Sequence, residues 1–128
     1  MRDIKFRAWH KKHNEVYDVI SLKFDYDGIL KQAVIADKTF HDQRLVKADD
    51  LILEQYTGAK DKDGKDIYEG DIVRVDGYGD YEVTWDNATG GFELKAVDPN
   101  ATDQTLFAFH RFLQTVYTVI SNIHKEAK

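Results

Sequence analysis

The sequence predicts a mainly β protein, in which an N-terminal β subdomain packs on a small SH3-like barrel. Apolar and polar residues alternate with a period of two in most segments, which is typical of strands with one buried face. Turn signals rich in glycine, aspartate and asparagine separate these segments at intervals of about 8 to 12 residues, a spacing typical of barrels and sandwiches. Of the 128 residues, 42% are hydrophobic and 12% are aromatic, which is enough to build a core.

The N-terminal subdomain, residues 1–50, is predicted to contain three strands. The apolar positions expected on the buried faces of the first two strands are Ile4, Phe6, Ala8, Ile20, Leu22 and Phe24. The polar residues 10–14 are expected to form a hairpin loop between these strands. Residues 25–28 form the next turn, which ends in a glycine suited to positive φ, and a third strand follows over residues 29–35. Residues 36–50 are expected to form a short helix or an irregular connection.

The SH3-like barrel is predicted over residues 51–128. Its tight turns are expected where glycine, aspartate and asparagine favour left-handed backbone conformations, at residues 61–64, 69–71, 76–80 and 87–91. Its strands are expected to contain residues 51–53, 72–75, 81–85, 92–96 and 116–123. Residues 106–113 have a spacing that fits one short helix, and a strand fits there as well.

Composition limits the classes of function. With 18 basic and 23 acidic residues, the formal net charge is -5, which opposes the binding of nucleic-acid phosphates. The absence of cysteine excludes disulfides, thiolate metal sites and cysteine nucleophiles. No apolar run approaches the roughly 20 residues that span a bilayer, and residues 1–7 do not resemble a signal peptide. We therefore expect a soluble, cytoplasmic protein.

Four blocks of the sequence resemble the YopX family of phage and prophage proteins. The specific block is residues 55–75, which contains the motif Gly-Ala-Lys-Asp-Lys-Asp-Gly-Lys-Asp-Ile-Tyr-Glu-Gly-Asp. Residues 1–9, 83–94 and 117–123 match more loosely, in the order that the family shows. The resemblance implies a mostly β protein that works in a bacterial host cell. It implies no activity and supplies no catalytic residues, because the family's own role is poorly defined.

The acidic residues of the specific block fit two interpretations, a calcium loop or a turn. In an EF-hand loop the acids stand at set positions before a glycine, but a loop with Gly64 at its sixth position begins at Ala59. Three neighbouring lysines also neutralise the acids, which are Asp61, Asp63, Asp66 and Glu69. We therefore favour a solvated hairpin tip over a metal site.

Catalytic motifs are not found in the sequence. His10 and His13 lie in a predicted loop and lack the helical i,i+4 spacing of a zinc-binding pair. Ser21 and Ser121 lie in predicted strands, without the sharp turn that exposes a nucleophile. We therefore predict that the protein is not an enzyme and has no cofactor and no metal site.

Three residues are candidates for binding a partner. Arg7 and Trp9 lie on one face of the first strand, in the one neighbourhood that is both basic and aromatic. The alternative for them is a solvated strand face whose tryptophan packs on the second subdomain. Tyr78 lies at the tip of a predicted hairpin, where an exposed ring can anchor a partner. The alternative for Tyr78 is a ring folded over the edge of the barrel.

The predicted function is a non-enzymatic interaction or assembly module. Small barrels bind through loop tips and grooves, so the partner is an unknown protein, or a second copy that pairs through strand edges. A nucleic-acid-binding accessory protein that uses the SH3-like barrel is the less favoured alternative, by analogy of fold. No membrane partner is expected.

Overall fold

The computed structural model describes residues 3–88, 90–98, 100, 105–106 and 117–126. Antiparallel strands dominate these residues, so the predicted mainly β class is confirmed. The chain divides into two compact units: Ile4–Gln55, called the N-terminal unit below, and Met1–Asp3 with Tyr56–Lys128, called the C-terminal unit. The SH3-like barrel stays a prediction. None of the helices in the described part of the chain is long and apolar enough to cross a membrane.

The strands of the N-terminal unit are β1 Phe6–His10, β2 Glu15–Phe24, β3 Leu30–Ala36, β4 Gln43–Lys47 and the first half of β5 Leu51–Lys60. They form an antiparallel sheet in the order β4-β3-β2-β1-β5. Strand β5 continues past Gln55 into the C-terminal unit, where Tyr56 and Lys60 pair with the short strand β6 Asp66–Tyr68.

The core of the N-terminal unit lies on one face of its sheet and consists of Ala8, Tyr17, Ala33, Ile35, Val46 and Leu51. The prediction that Ile20 and Phe24 are buried is wrong, because each is 53% exposed. A register shift between Val19 and Ser21 turns Ile20 outward and lets Val19 pack on the core together with Leu22, as predicted for Leu22. A second register shift, between Lys23 and Phe24, turns Phe24 outward.

The first strand also differs from the predicted alternation. Ile4 precedes β1 and is 66% exposed, so its predicted burial is wrong. At the other end of the strand, the consecutive residues Ala8, Trp9 and His10 are all buried. Burial on both faces explains why a period of two does not describe this segment.

Residues 37–50 form a tight loop, strand β4 and a 3-10 turn, whereas a short helix or an irregular connection was expected. Asp37 Oδ1 accepts hydrogen bonds from the backbone N–H groups of Thr39 at 2.7 Å and Phe40 at 2.6 Å. These bonds close a tight loop in which His41 takes a φ of 60°. Strand β4 follows, and helical character is confined to the 3-10 turn Ala48–Asp50.

The C-terminal unit contains β7 Asp71–Val75, β8 Gly79–Asp86, β9 Gly91–Ala96, β10 Thr105–Leu106, β11 Tyr117–Asn122 and the one-turn helix α1 Ile123–Glu126. The sheet order is β10-β9-β8-β7-β11. Its core consists of Ile67, Val73, Val75, Tyr81, Val83, Leu94 and Tyr117. Leu106, where the predicted helix begins, lies in β10, and the rest of that helix falls outside the described residues.

Candidate functional site

The β7–β8 hairpin places Tyr78 at its tip, where the side chain is 63% exposed. Gly77 and Gly79, on either side, have φ values of 84° and 112°, which side chains other than glycine rarely adopt. The backbone N–H of Tyr78 donates a hydrogen bond to the carbonyl oxygen of Val75 at 2.9 Å. Local backbone geometry thus fixes the turn that carries Tyr78, and the ring is not folded away from solvent.

An ion pair closes the base of this hairpin. Arg74 and Asp80 lie directly opposite each other in the two strands. The guanidinium donates from Nε to Asp80 Oδ1 at 2.9 Å and from Nη2 to Oδ2 at 3.3 Å. This bidentate hydrogen bond and the charge of Asp80 raise the pKa of Arg74 above its ordinary value.

A depression of about 800 Å³ lies beside the hairpin tip and is called the Tyr78 depression below. Tyr78 and Val97 supply apolar surface, and Val97 is 48% exposed. The charged side chains of the lining are Asp80, Asp98 and Arg74, and Arg74 is already paired with Asp80. The lining therefore combines an exposed aromatic ring with an excess of negative charge.

The other two candidate residues, Arg7 and Trp9, lie in the N-terminal unit, so the structure does not bring them into the Tyr78 depression. Trp9 is 3% exposed. Arg7 donates from Nε to Glu54 Oε1 at 2.8 Å, with side chains that are 13% and 3% exposed. The two residues are mostly buried and offer little surface to a partner, and their binding role stays a prediction.

A second polar cluster forms at the end of the β1–β2 hairpin. The imidazole rings of His10 and His13 are stacked, with centroids 4.3 Å apart and planes inclined by 14°. The hydroxyl of Tyr17 lies 3.4 Å from His13 Nδ1 and accepts a hydrogen bond from Arg44 Nη2 at 2.8 Å. The guanidinium of Arg44 also lies 5.2 Å from the centroid of the Tyr17 ring.

Burial lowers the pKa of His10 below 6.5, and the charges of His13, Arg44 and Lys12 lower it further. Among the neighbouring charges that shift this pKa, only that of Asp50 raises it. The predicted solvent-facing loop is therefore correct for His13, which is exposed, and wrong for His10, which is 9% exposed. Sequence reasoning missed Tyr17 and Arg44, since only strand pairing brings them to the histidines.

The specific sequence block forms two turns. At the first turn, Asp61 Oδ1 accepts hydrogen bonds from the backbone N–H groups of Asp63 and Lys65, both at 2.9 Å. Gly64 has a φ of 84° and donates its N–H to the carbonyl oxygen of Asp61 at 3.0 Å. The expected solvated tip is correct for Asp63 and Lys65, which are exposed, and wrong for Asp61, which is 5% exposed.

The second carboxylate oxygen of Asp61 holds strand β11. Asp61 Oδ2 accepts a hydrogen bond from the backbone N–H of Val119 at 3.0 Å, and the N–H of Lys62 donates to the carbonyl oxygen of Tyr117 at 3.0 Å. Burial alone would raise the pKa of Asp61, but the N–H donors of Val119, Lys65 and Asp63 outweigh it, so the pKa lies below the ordinary 3.8.

The second turn is held in the same way, by backbone hydrogen bonds. Asp71 is 2% exposed, and its Oδ2 accepts a hydrogen bond from the backbone N–H of Tyr68 at 2.8 Å. Gly70 has a φ of 87°, donates to the carbonyl oxygen of Val83 and accepts from the N–H of Ile123, both at 2.9 Å. Asp61, Gly64, Gly70 and Asp71 therefore have structural roles in the block. Among the described residues, no group of three or more His, Asp or Glu side chains is placed to hold a metal ion.

Comparison with known proteins agrees with this architecture. A search of curated proteins found no match. Among solved structures, the crystal structure of protein EF1440 from Enterococcus faecalis is similar, with a TM-score of 0.68 and 22% sequence identity over 100% of this chain and 98% of that chain. At this identity the likeness shows the fold alone. The family model described as YopX protein matches residues 5–128, which is nearly the whole chain. The chain therefore belongs to the YopX family.

Proposed function

We propose that this protein is a non-enzymatic interaction module of a phage or prophage, which binds a partner protein in the cytoplasm of a bacterial host. The observation that carries the proposal is the exposed ring of Tyr78, on a turn with a fixed backbone, beside a depression of about 800 Å³. Tyrosine is enriched among the residues that contribute most to the free energy of protein association.

The hairpin geometry favours tight binding at this position. Ordering a mobile loop on association costs free energy that reduces affinity. The turn around Tyr78 is already fixed by two glycines with positive φ and by the hydrogen bond to Val75. A partner that covers Tyr78 would therefore order few additional backbone torsions.

The charge of the site supports a basic partner segment. Asp80 and Asp98 outnumber Arg74 in the lining, and the C-terminal unit as a whole has nine basic and fourteen acidic residues. A lysine or arginine of the partner would stack on the ring of Tyr78 and approach the carboxylate of Asp98. An apolar residue beside it would contact Val97.

Selection from a displayed peptide library tests this proposal. We expect selected peptides to combine lysine or arginine with an apolar residue, and to bind Tyr78→Ala about tenfold more weakly than the native chain. Tyr26→Ala is the matched control, because Tyr26 is a fully exposed tyrosine in a turn of the other unit. Selected peptides that bind Tyr78→Ala as well as the native chain would contradict the proposal.

A nucleic-acid-binding role is the second candidate, and one observation favours it. The tip of the β1–β2 hairpin combines Lys11, Lys12 and His13 with Arg44, which is brought there by strand pairing. However, Lys11 Nζ already donates to the carbonyl oxygen of Asp49 at 2.8 Å. Gel shifts with single-stranded DNA and RNA at low salt decide the question, because binding through phosphates must weaken with added salt and with Lys12→Ala.

A further inference from the structure

Strand β4 has an outer edge that no described residue covers. It is the last strand in the order β4-β3-β2-β1-β5, and β3 is its partner on one side. Within the described residues, the backbone groups of Gln43 and Leu45 and the N–H of Lys47 make no hydrogen bond on the other side, whereas the carbonyl of Lys47 caps the 3-10 turn Ala48–Asp50. The sheet of the C-terminal unit is different, because Asp61 and Lys62 occupy the outer edge of β11. An open edge is a template for pairing with another strand.

The register with β3 fixes which groups point outward. The backbone N–H of Asp37 donates to the carbonyl oxygen of Asp42, so this pair is a hydrogen-bonded pair of the ladder. Hydrogen-bonded pairs recur at every second position, and Ile35–Arg44 is therefore the next one. The N–H and C=O groups of the three alternate residues Gln43, Leu45 and Lys47 consequently face away from β3.

We propose that two copies of this protein associate through β4, antiparallel and in a register centred on Leu45. In this register Leu45 lies opposite Leu45 of the second copy, and Gln43 lies opposite Lys47. The Leu45–Leu45 pair then forms two hydrogen bonds, and in each Gln43–Lys47 pair the free N–H of Lys47 donates to the carbonyl oxygen of Gln43. The pairing extends the five-stranded sheet of the N-terminal unit into one continuous sheet across both copies.

Charge favours this register over the one centred on Arg44. A register centred on Arg44 would place two guanidinium groups directly opposite each other, which is destabilising. The register centred on Leu45 places Arg44 opposite Val46 and Lys47 opposite Gln43, so no like charges are directly opposed. Charged side chains on an edge commonly prevent pairing, and in this register the two Arg44 side chains lie at diagonal positions, which reduces that obstacle.

The exposed side chains on the outer face of β4 also fit a second copy. Leu45 is 63% exposed, and its neighbour across β3 is the half-buried Val34. The proposed pairing places the two Leu45 side chains against each other, between the two Val34 side chains. It thereby covers apolar surface that the described part of a single copy leaves in water.

A disulfide trap tests the register, because the native chain contains no cysteine. Opposed Cα atoms in a hydrogen-bonded pair lie about 5.5 Å apart, which is within the range that a disulfide bridges. Under mild oxidation we expect Leu45→Cys to form a covalent dimer about tenfold faster than Gln43→Cys. The thiol introduced at position 43 faces Lys47 of the second copy rather than its own equivalent. Equal rates for the two variants, or no covalent dimer from Leu45→Cys, would overturn the proposal.

Sedimentation of the cysteine-free chain provides an independent measurement. Between about 1 and 500 µM protein, we expect a reversible monomer–dimer equilibrium. Leu45→Lys places two ammonium groups at the two-fold axis and should weaken dimerisation by at least about tenfold, whereas Gln43→Glu should strengthen it through ion pairs with Lys47. Ile29→Lys, at an equally exposed turn position, is the control for added charge. A chain that stays monomeric throughout this range, or a dimer that neither β4 variant affects, would contradict pairing through β4.

Discussion

Asp61 and Val119 are joined by a hydrogen bond across 58 positions of sequence, with the backbone N–H of Val119 donating to Asp61 Oδ2 at 3.0 Å. The other carboxylate oxygen holds the turn that contains Asp61 itself. One side chain therefore shapes a hairpin tip and attaches it to strand β11. This attachment gives Asp61 a structural role in the specific sequence block.

Replacement of Asp61 should destabilise the protein strongly. Asp61→Ala leaves three backbone N–H groups without their charged acceptor, and we expect the free energy of unfolding to fall by about 3 kcal/mol. Urea denaturation at neutral pH provides the measurement. Asp63→Ala is the control, because Asp63 is exposed and its side chain should change stability by less than about 0.5 kcal/mol. A loss below about 1 kcal/mol for Asp61→Ala would show that water replaces the carboxylate.

Stability should decrease as the pH falls below about 6.5, because of His10. Its pKa is lowered in the folded protein, so the unfolded chain binds more protons in this range. The contribution of neutral His10 is therefore fully present above pH 6.5 and is lost as the pH falls through the lowered pKa of the folded state. Urea denaturation at a series of pH values gives the unfolding free energy as a function of pH. Below pH 6.5 this free energy should change less steeply with pH for His10→Gln than for the exposed control His41→Gln. Identical slopes for the two variants would contradict the assignment to His10.

Removing one partner of the Arg7–Glu54 ion pair should reduce the free energy of unfolding more than replacing both partners. The side chains are 13% and 3% exposed, so Glu54→Ala leaves a largely buried guanidinium and should cost about 3 kcal/mol in unfolding free energy. The double variant Arg7→Met with Glu54→Leu should recover much of this loss, because it buries no charge. Thermal and urea unfolding provide the measurements.

Asp18→Ala is the control for the ion-pair prediction. It breaks an exposed pair with Lys38, whose side chains are 51% and 47% exposed, and should cost less than about 1 kcal/mol. Equal losses for Glu54→Ala and Asp18→Ala would show that burial does not determine the contribution of these pairs.

The two tryptophans should differ in their accessibility to a quencher of fluorescence. Trp9 is 3% exposed, whereas Trp85 is 42% exposed and contacts Phe92 edge-to-face at 5.0 Å between ring centroids. Trp85→Phe leaves the buried tryptophan, so acrylamide should quench this variant several times less efficiently than Trp9→Phe. Equal quenching of the two variants would indicate that Trp9 is accessible, and would restore it as a candidate for partner binding.

The turns of this protein could be predicted from the sequence, because turn chemistry is local. Gly28, Gly64 and Gly77 all have positive φ, at turns that the residue types indicated. The strands that flank these turns consequently begin and end close to the predicted residues. The same locality made Tyr78 recognisable as a hairpin tip before its exposure was known.

The burial of individual strand residues was harder to predict, because it depends on pairing. A bulge beside Ile20 reverses the alternation of β2, and the sequence contains no signal that marks this bulge. Strand β4 was missed because its apolar residues are too few for a clear period of two. The contact of Arg44 with Tyr17 depends on that strand, so the polar cluster around His10 was missed with it.

The attachment of Asp61 to β11 also bears on the behaviour of the protein during misfolding. Strand β11 reads Tyr-Thr-Val-Ile-Ser-Asn, six uncharged residues that include four β-branched or aromatic side chains and neither proline nor glycine. Such segments assemble into cross-β fibrils when their edge becomes accessible. Acidification that protonates Asp61, or mutation of this residue, would release that edge. The hydrogen bonds from Asp61 and Lys62 to β11 therefore keep the edge of an aggregation-prone segment covered.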